Sequence, residues 1–275
     1  MSAAGDSTAG ESFIASADDG AKLKAWSHGS GRRALLLVSG LGGTGGFWKE
    51  VAPALSGDMR VLRFDQRGIG ASERGSASVS IDQLARDCLS VLDAAGIERV
   101  FLLGHSTGGC IGQAFARIAP ERTEGLILSA AWMRPSHYMN ALFGTRRDIL
   151  AHSPAAYAAS AALLSHPPDW LEENWGVFEA GVRNAPATPE AVAVVRERID
   201  ALLSFDGSAQ AGALTQPALV LGARDDMIVP PFLQKDLAAA LPSAELRVME
   251  SGGHFFPVTR RDRTVAEISD WIGAR

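Results

Sequence analysis

The most constraining stretch of the chain is residues 100–118. Val100-Phe101-Leu102-Leu103 is an unbroken apolar run of strand length, the pattern of a strand buried on both faces. It passes through Gly104-His105-Ser106-Thr107-Gly108 into a segment whose apolar residues, Ile111, Ala114, Phe115 and Ile118, recur at helical spacing. A strand that turns into a helix within five residues leaves Ser106 at the apex, where a hydroxyl is exposed and constrained. Serine is a poor nucleophile until a base removes its proton and amide donors stabilise the oxyanion. The pentapeptide alone is a weak signal, because a glycine-rich turn with an incidental serine reads the same way. Its strand-and-helix context, and partners elsewhere in the chain, favour a nucleophile.

Two partners are present. Gly252-Gly253-His254 follows a strand expected at 245–249 and offers an imidazole base. Asp225-Asp226 follows a strand expected at 218–221 and offers a carboxylate to orient that base. The chain order is serine, acid, histidine, which differs from the chymotrypsin and subtilisin orders. His105, beside the serine, is expected to point away from it and pack, and His28, His137, His152 and His166 read as surface histidines.

Residues 39–46 carry glycine at five of eight positions, so the backbone there can approach a ligand closely. Gly40, Gly42 and Gly45 also match the dinucleotide fingerprint, with Asp65 twenty residues beyond. Against that rival, a hairpin around Asp18-Asp19-Gly20 precedes the motif, Pro53 interrupts the short helix after it, and the serine, acid and histidine would have no role. An oxyanion loop is the better reading, with the amides of Leu41 and Thr107 as donors.

Strands at 34–38, 59–64, 100–103, 126–128, 218–221 and 245–249 alternate with helices at 48–55, 81–95, 107–119 and 231–241, which implies a parallel sheet. Residues 132–213 break the rhythm with helical stretches and prolines but no convincing strand. The expected organisation is a disordered tail over 1–12, a core over 13–131 and 214–275, and a helical cap over 132–213. Hydrophobic residues make up 47% of the 275, enough for a substantial core and too many for disorder. The net charge is −5 and no four basic residues occur in a row, so nucleic acid is an unsuitable partner. The longest aliphatic run, 34–38, is far too short for a membrane span, and the start lacks a secretory pattern, so a cytoplasmic location is expected. Cys88 and Cys110 read as small core fillers, with no metal-ligand spacing.

Five ordered motifs carry a family resemblance: Val38-Ser39-Gly40-Leu41-Gly42-Gly43, Asp65-Gln66-Arg67-Gly68-Ile69-Gly70-Ala71-Ser72, Gly104-His105-Ser106-Thr107-Gly108-Gly109, Asp226-Met227-Ile228-Val229-Pro230 and Gly252-Gly253-His254. Together they resemble the α/β-hydrolase superfamily over about residues 20–131 and 215–272. The resemblance implies an α/β fold with a mostly parallel eight-stranded sheet, flanking helices and an inserted cap. It further implies a catalytic triad of Ser106, His254 and Asp226, an oxyanion hole at Leu41 and Thr107, and no metal or cofactor. Family spacing selects Asp226 over Asp225: the acid follows a strand-opening proline by nine residues and precedes another by four, as Asp226 does with Pro217 and Pro230. Asp225 is then a solvated or turn-capping carboxylate. Where the family usually has His-Gly, this chain has Ser39-Gly40.

Within the superfamily the chain is similar to the aminoacrylate or carbamate hydrolases of pyrimidine degradation, through its Ser-Gly-Leu-Gly-Gly loop, Asp-Gln-Arg-Gly turn and Pro167-Pro168-Asp169-Trp170. It is also similar to 3-oxoadipate enol-lactonases. The expected activity is hydrolysis of a small ester, lactone or related acyl substrate. A C–C or carbamate-type hydrolase and a non-catalytic binding protein are the alternatives. A homodimer is compatible with the sequence. Trp132, Met133 and Trp170 are expected to bind substrate, within an aromatic and methionine set that includes Tyr138, Met139, Leu142, Phe143, Trp175 and Phe178; ordinary cap core is the plainer reading of that set. Arg134, Arg146 and Arg147 suit a carboxylate clamp but read first as solvated charges.

Overall fold

The computed structural model describes residues 10–275. Eight strands form one sheet: β1 (Glu11–Ser16), β2 (Lys22–His28), β3 (Arg33–Val38), β4 (Met59–Phe64), β5 (Val100–His105), β6 (Thr123–Ser129), β7 (Ala218–Ala223) and β8 (Ala244–Met249). Their spatial order is β1-β2-β4-β3-β5-β6-β7-β8. The β1/β2 and β2/β4 pairs are antiparallel and the rest parallel. Of the tail expected over 1–12, residues 1–9 lie outside the described residues. Glu11 and Ser12 are strand, paired with Ser27 and Trp26. Small polar side chains did not announce a strand there, because the pairing is made by backbone groups.

Side chains along the central strands alternate between two cores. Leu36 and Val38, Leu102, Leu128 and Val220 face one side, while Leu35, Leu37, Leu103, Ile127 and Leu221 face the other. Helices α1 (Val51–Leu55), α2 (Ile81–Ala94) and α3 (Thr107–Ile118) belong to the first half of the chain. Between β6 and β7 come α4 (His137–His152), α5 (Pro154–Ser165), α6 (Pro168–Glu173), α7 (Trp175–Arg183), α8 (Pro189–Ser204) and α9 (Ser208–Ala211), and after β7 come α10 (Pro231–Ala240), α11 (Phe256–Thr259) and α12 (Arg261–Gly273). Three of the six prolines in 132–213 open helices: Pro154, Pro168 and Pro189 occupy first-turn positions, where the missing N–H is no loss.

β3 lies between β4 and β5, so the chain leaves it in one direction and returns on the other side. Val38 and Gly104 are register partners, and the loops after β3 and β5 therefore emerge together at the carboxyl edge of the sheet. Ligands of open α/β sheets bind at such a switch point.

Candidate active site

Ser106 sits between β5 and α3 at φ 57°, ψ −123°, a conformation that a non-glycine residue adopts only when its surroundings impose it. The glycines around it explain how. A Cβ at Gly104 would lie 2.0 Å from the Gly108 carbonyl oxygen, and one at Gly108 would lie 2.2 Å from that of Val38. Only unsubstituted backbone lets α3 start this close to the sheet, and Ser106 is the residue left at the bend.

His254 and Asp226 arrive from the loops after β8 and β7. Asp226 Oδ2 lies 2.9 Å from His254 Nδ1, and both side chains are almost wholly buried. The carboxylate is held in turn, its Oδ1 accepting from the amides of Ile228 and Val229 at 2.8 Å each. A carboxylate fixed in this way sets Nδ1 as the protonated nitrogen and frees Nε2 to act as a base. Asp225 is the exposed, turn-capping carboxylate expected: it accepts from the amides of Gly252 and Gly253 at 3.1 and 2.9 Å, and so ties the histidine's own loop to the end of β7. Among the described residues the Ser106 hydroxyl makes no hydrogen bond.

The loop after β3 packs on the serine. A Cβ at Gly40 would come within 2.9 Å of Ser106 Cβ. Among the described residues, no acceptor takes the amide of Leu41 or that of Thr107, which leaves both donors for a ligand. Ser39 Oγ donates to the Thr44 carbonyl at 2.6 Å, and Asp65 accepts from the amides of Gly45 at 2.8 Å and Ala71 at 3.0 Å. Asp65 is thus a buried brace for two loops rather than a ribose ligand, and Gly45 opens only a four-residue 3-10 helix (Gly45–Trp48).

Ser106, His254, Leu41 and Gly40 share a cavity of about 450 Å³, roofed by α5 and by parts of α4 and α7. Trp132, Met133 and Trp170 do not line it. Trp132 is fully buried in the core, its carbonyl accepting from Gln113 at 3.0 Å. Met133 borders a separate groove, and Trp170 lies one ring back, stacked on His166 at 5.1 Å. Of the nine cap residues expected near the site, Phe143 alone lines the cavity. Helical spacing marks a face as buried without saying which neighbour buries it.

His28 and His166 are buried rather than at the surface, and His105 is more than packing. The His105 ring lies 4.9 Å from that of His254, is stacked on Phe47 at 5.0 Å, and reaches Ser129 Oγ through Nδ1 at 3.0 Å. Burial, reinforced by His254, holds its pKa well below the ordinary histidine value.

Arg146 is also buried, with its guanidinium 4.8 Å from the Tyr157 ring and 5.4 Å from that of Phe143. It lines the cavity, its Nε has no hydrogen-bond partner, and no acid pairs with it among the described residues. Burial draws its pKa below the usual range. Neither Asp nor Glu lines the cavity. The available signal was its phase: Met139, Phe143, Arg146 and Leu150 fall on one buried face of α4. Arg198, Tyr157 and Phe47 were missed altogether. Among the described residues, no group of three or more His, Cys, Asp or Glu could hold a metal, and no helix is long and apolar enough to cross a membrane.

This arrangement of sheet, elbow and loops is that of an α/β-hydrolase. A family model described as alpha/beta hydrolase fold matches residues 33–260, and the chain belongs to that family. It is 36% identical over 236 residues to a protein of Azorhizobium caulinodans named "Putative carbamate hydrolase RutD", covering 86% of this chain and 89% of that protein. A protein of the same name from Stutzerimonas stutzeri is 38% identical over 223 residues, covering 80% and 84%. Among solved structures, a hydrolase from Pseudomonas aeruginosa superimposes with a TM-score of 0.86 at 27% identity over 96% of this chain and 99% of that one. The enol-lactonase of Burkholderia xenovorans shares the fold, with a TM-score of 0.84 at 24% identity over 95% and 100%.

Proposed function

We propose that the protein is a serine hydrolase that cleaves a small, anionic acyl substrate through an acyl-enzyme. The observation that carries this reading is Ser106, held at positive φ in the same cavity as a histidine whose Nδ1 is 2.9 Å from a buried carboxylate. In this mechanism Ser106 Oγ attacks the acyl carbon while His254 Nε2 takes its proton. Asp226 accepts from Nδ1–H and stabilises the imidazolium, and the Leu41 and Thr107 amides donate to the oxyanion. Collapse returns the proton to the leaving group. Water, deprotonated by the same histidine, then releases the acid.

The substrate's size follows from a cavity of about 450 Å³, and its charge from Arg146, a cation facing a space that no acid lines. A buried guanidinium without a counterion is costly, and a ligand carboxylate is the planar partner it fits. The names of the two relatives favour a second reading, in which the acyl carbon is that of a carbamate and an amine leaves. Both readings use the same triad.

Turnover of 4-nitrophenyl acetate and butyrate by the wild type and by Ser106→Ala tests the chemistry. Equal rates for the two proteins would overturn it. A half-ester of a dicarboxylic acid, compared with its methyl-capped diester, tests the charge, and carbamate cleavage with amine release separates the second reading from the first.

A further inference from the structure

We propose that Arg198, on the cap helix α8, is a positioning residue of the oxyanion hole that polarises the peptide group joining Gly40 to Leu41. The inference rests on the serine-hydrolase reading above. Arg198 is 1% exposed, and its fork is directed at the loop after β3. Nε donates to the Leu41 carbonyl at 2.8 Å, and Nη2 donates to the Gly40 carbonyl at 3.1 Å and to Gln66 Oε1. Gln66 extends the clamp: its Nε2 donates to the Ser39 carbonyl at 2.7 Å and its amide to the Gly43 carbonyl at 2.9 Å. Three successive carbonyls, those of Ser39, Gly40 and Leu41, are therefore held by two side chains.

The C=O and N–H of a trans peptide point in opposite directions. With the Gly40 carbonyl fixed on the Arg198 side, the Leu41 N–H of the same peptide is turned the other way. That amide is taken by no acceptor among the described residues, and Gly40 lies against Ser106. A hydrogen bond to a carbonyl strengthens the N–H of its own peptide as a donor, an effect that grows in a low-dielectric interior.

Holding the loop would not by itself require a charge, since neutral donors can satisfy carbonyls. Burial lowers the pKa of Arg198 to about 10, so it remains a cation at neutral pH. Its Nη1 has no hydrogen-bond partner, and no carboxylate stands within ion-pair distance of it among the described residues, Asp87 acting on it only from further away. Burying such an ion is unfavourable. The cost is offset when Ser106 attacks and one negative charge develops at the oxyanion, so the cation contributes to the transition state and not to substrate binding. The chain thus supplies from its cap a support for the loop in which Ser39 replaces the family's usual histidine.

Arg198→Met and Arg198→Lys test this, with thermal melting as the check on folding. The readouts are kcat and KM for 4-nitrophenyl butyrate, and the affinity of an alkyl trifluoromethyl ketone, whose adduct on the serine carries an oxyanion. In Arg198→Met, kcat is expected to fall about 30- to 100-fold with KM within about threefold, and ketone affinity to fall in parallel with kcat. Lysine, which keeps the charge but not the fork, is expected to recover part of both. A folded Arg198→Met with wild-type kcat, or a loss of kcat with unchanged ketone affinity, would overturn the proposal. If the methionine variant does not fold, the lysine variant must show the same parallel fall for the proposal to stand. Turnover surviving in Ser106→Ala would bring down the serine reading and this proposal together, whereas wild-type kcat in Arg198→Met beside an inert Ser106→Ala brings down the proposal alone.

Discussion

Ser106 and Arg146 line the same cavity, one from the α/β core and the other from the inserted cap, and they come to it by different physical routes. Ser106 is placed by backbone: a φ of 57° and glycines whose Cβ atoms would collide with carbonyl oxygens leave the turn one geometry. Arg146 is placed by side-chain packing, over the Tyr157 and Phe143 rings, on a helix of ordinary conformation. A site residue held by backbone constraints leaves its trace in short sequence motifs. One held by packing leaves only a phase along a helix.

The largest effects are therefore expected in the core, and the comparison fails if they are not found there. Ser106→Ala should lower kcat by at least about 10³-fold, and Asp226→Asn by about 10⁴-fold through the wrong histidine tautomer, both with melting temperatures near wild type. Asp225→Ala offers a sharper contrast. Its carboxylate touches the Gly252 and Gly253 amides and not the imidazole, so a loss of about tenfold in kcat is expected from a loosened histidine loop. Steady-state kinetics on one ester decides the ranking, and Asp225 above Asp226 would mean that the wrong acid has been assigned to His254.

In the cap the expectation is inverted, with function lost and stability kept. Arg146→Leu exchanges a buried cation that faces rings and no acid for an apolar side chain, which is commonly neutral or stabilising. Its melting temperature should equal or exceed that of the wild type. KM for a half-ester substrate should rise about 30-fold, while an uncharged ester should be unaffected. Equal changes for the two substrates would remove Arg146 from substrate recognition, leaving the triad untouched.

The same division marks what could be read from the sequence. The parallel core, the elbow and its partners were legible, because Gly104, Gly108, Gly252 and Gly253 stand at turns that tolerate little else. The tertiary partners of the cap were not. Trp132 looked like a pocket residue and is buried in the core, while Arg146 looked solvated and faces the cavity. Arg198 carried a usable signal: it lies in phase with Val194, Ala201 and Leu202 on the buried face of α8, and a charge in that position calls for a polar partner. Which partner could not be read, because Gly40, Leu41 and Gln66 are more than 130 residues away in the chain.

The smallest expected effect lies at the seam between the two regions, where the core's His105 and the cap's His166 flank the His254 loop. Burial is the leading reason that both have lowered pKa values in the folded protein. The unfolded chain, with histidines near about 6.5, then binds more protons than the native state below that pH, so stability must fall on acidification and recover as pH rises. Between about pH 7.5 and 5, a histidine that stays neutral in the fold forfeits up to about 2 kcal/mol. Denaturant titrations across that range should show the loss. His105→Asn should flatten the pH dependence more than His166→Asn, because His105 is the more deeply buried of the two. If His166→Asn flattened it more, the cap's contact with the His254 loop, and not the core beneath it, would be the acid-sensitive part of the seam.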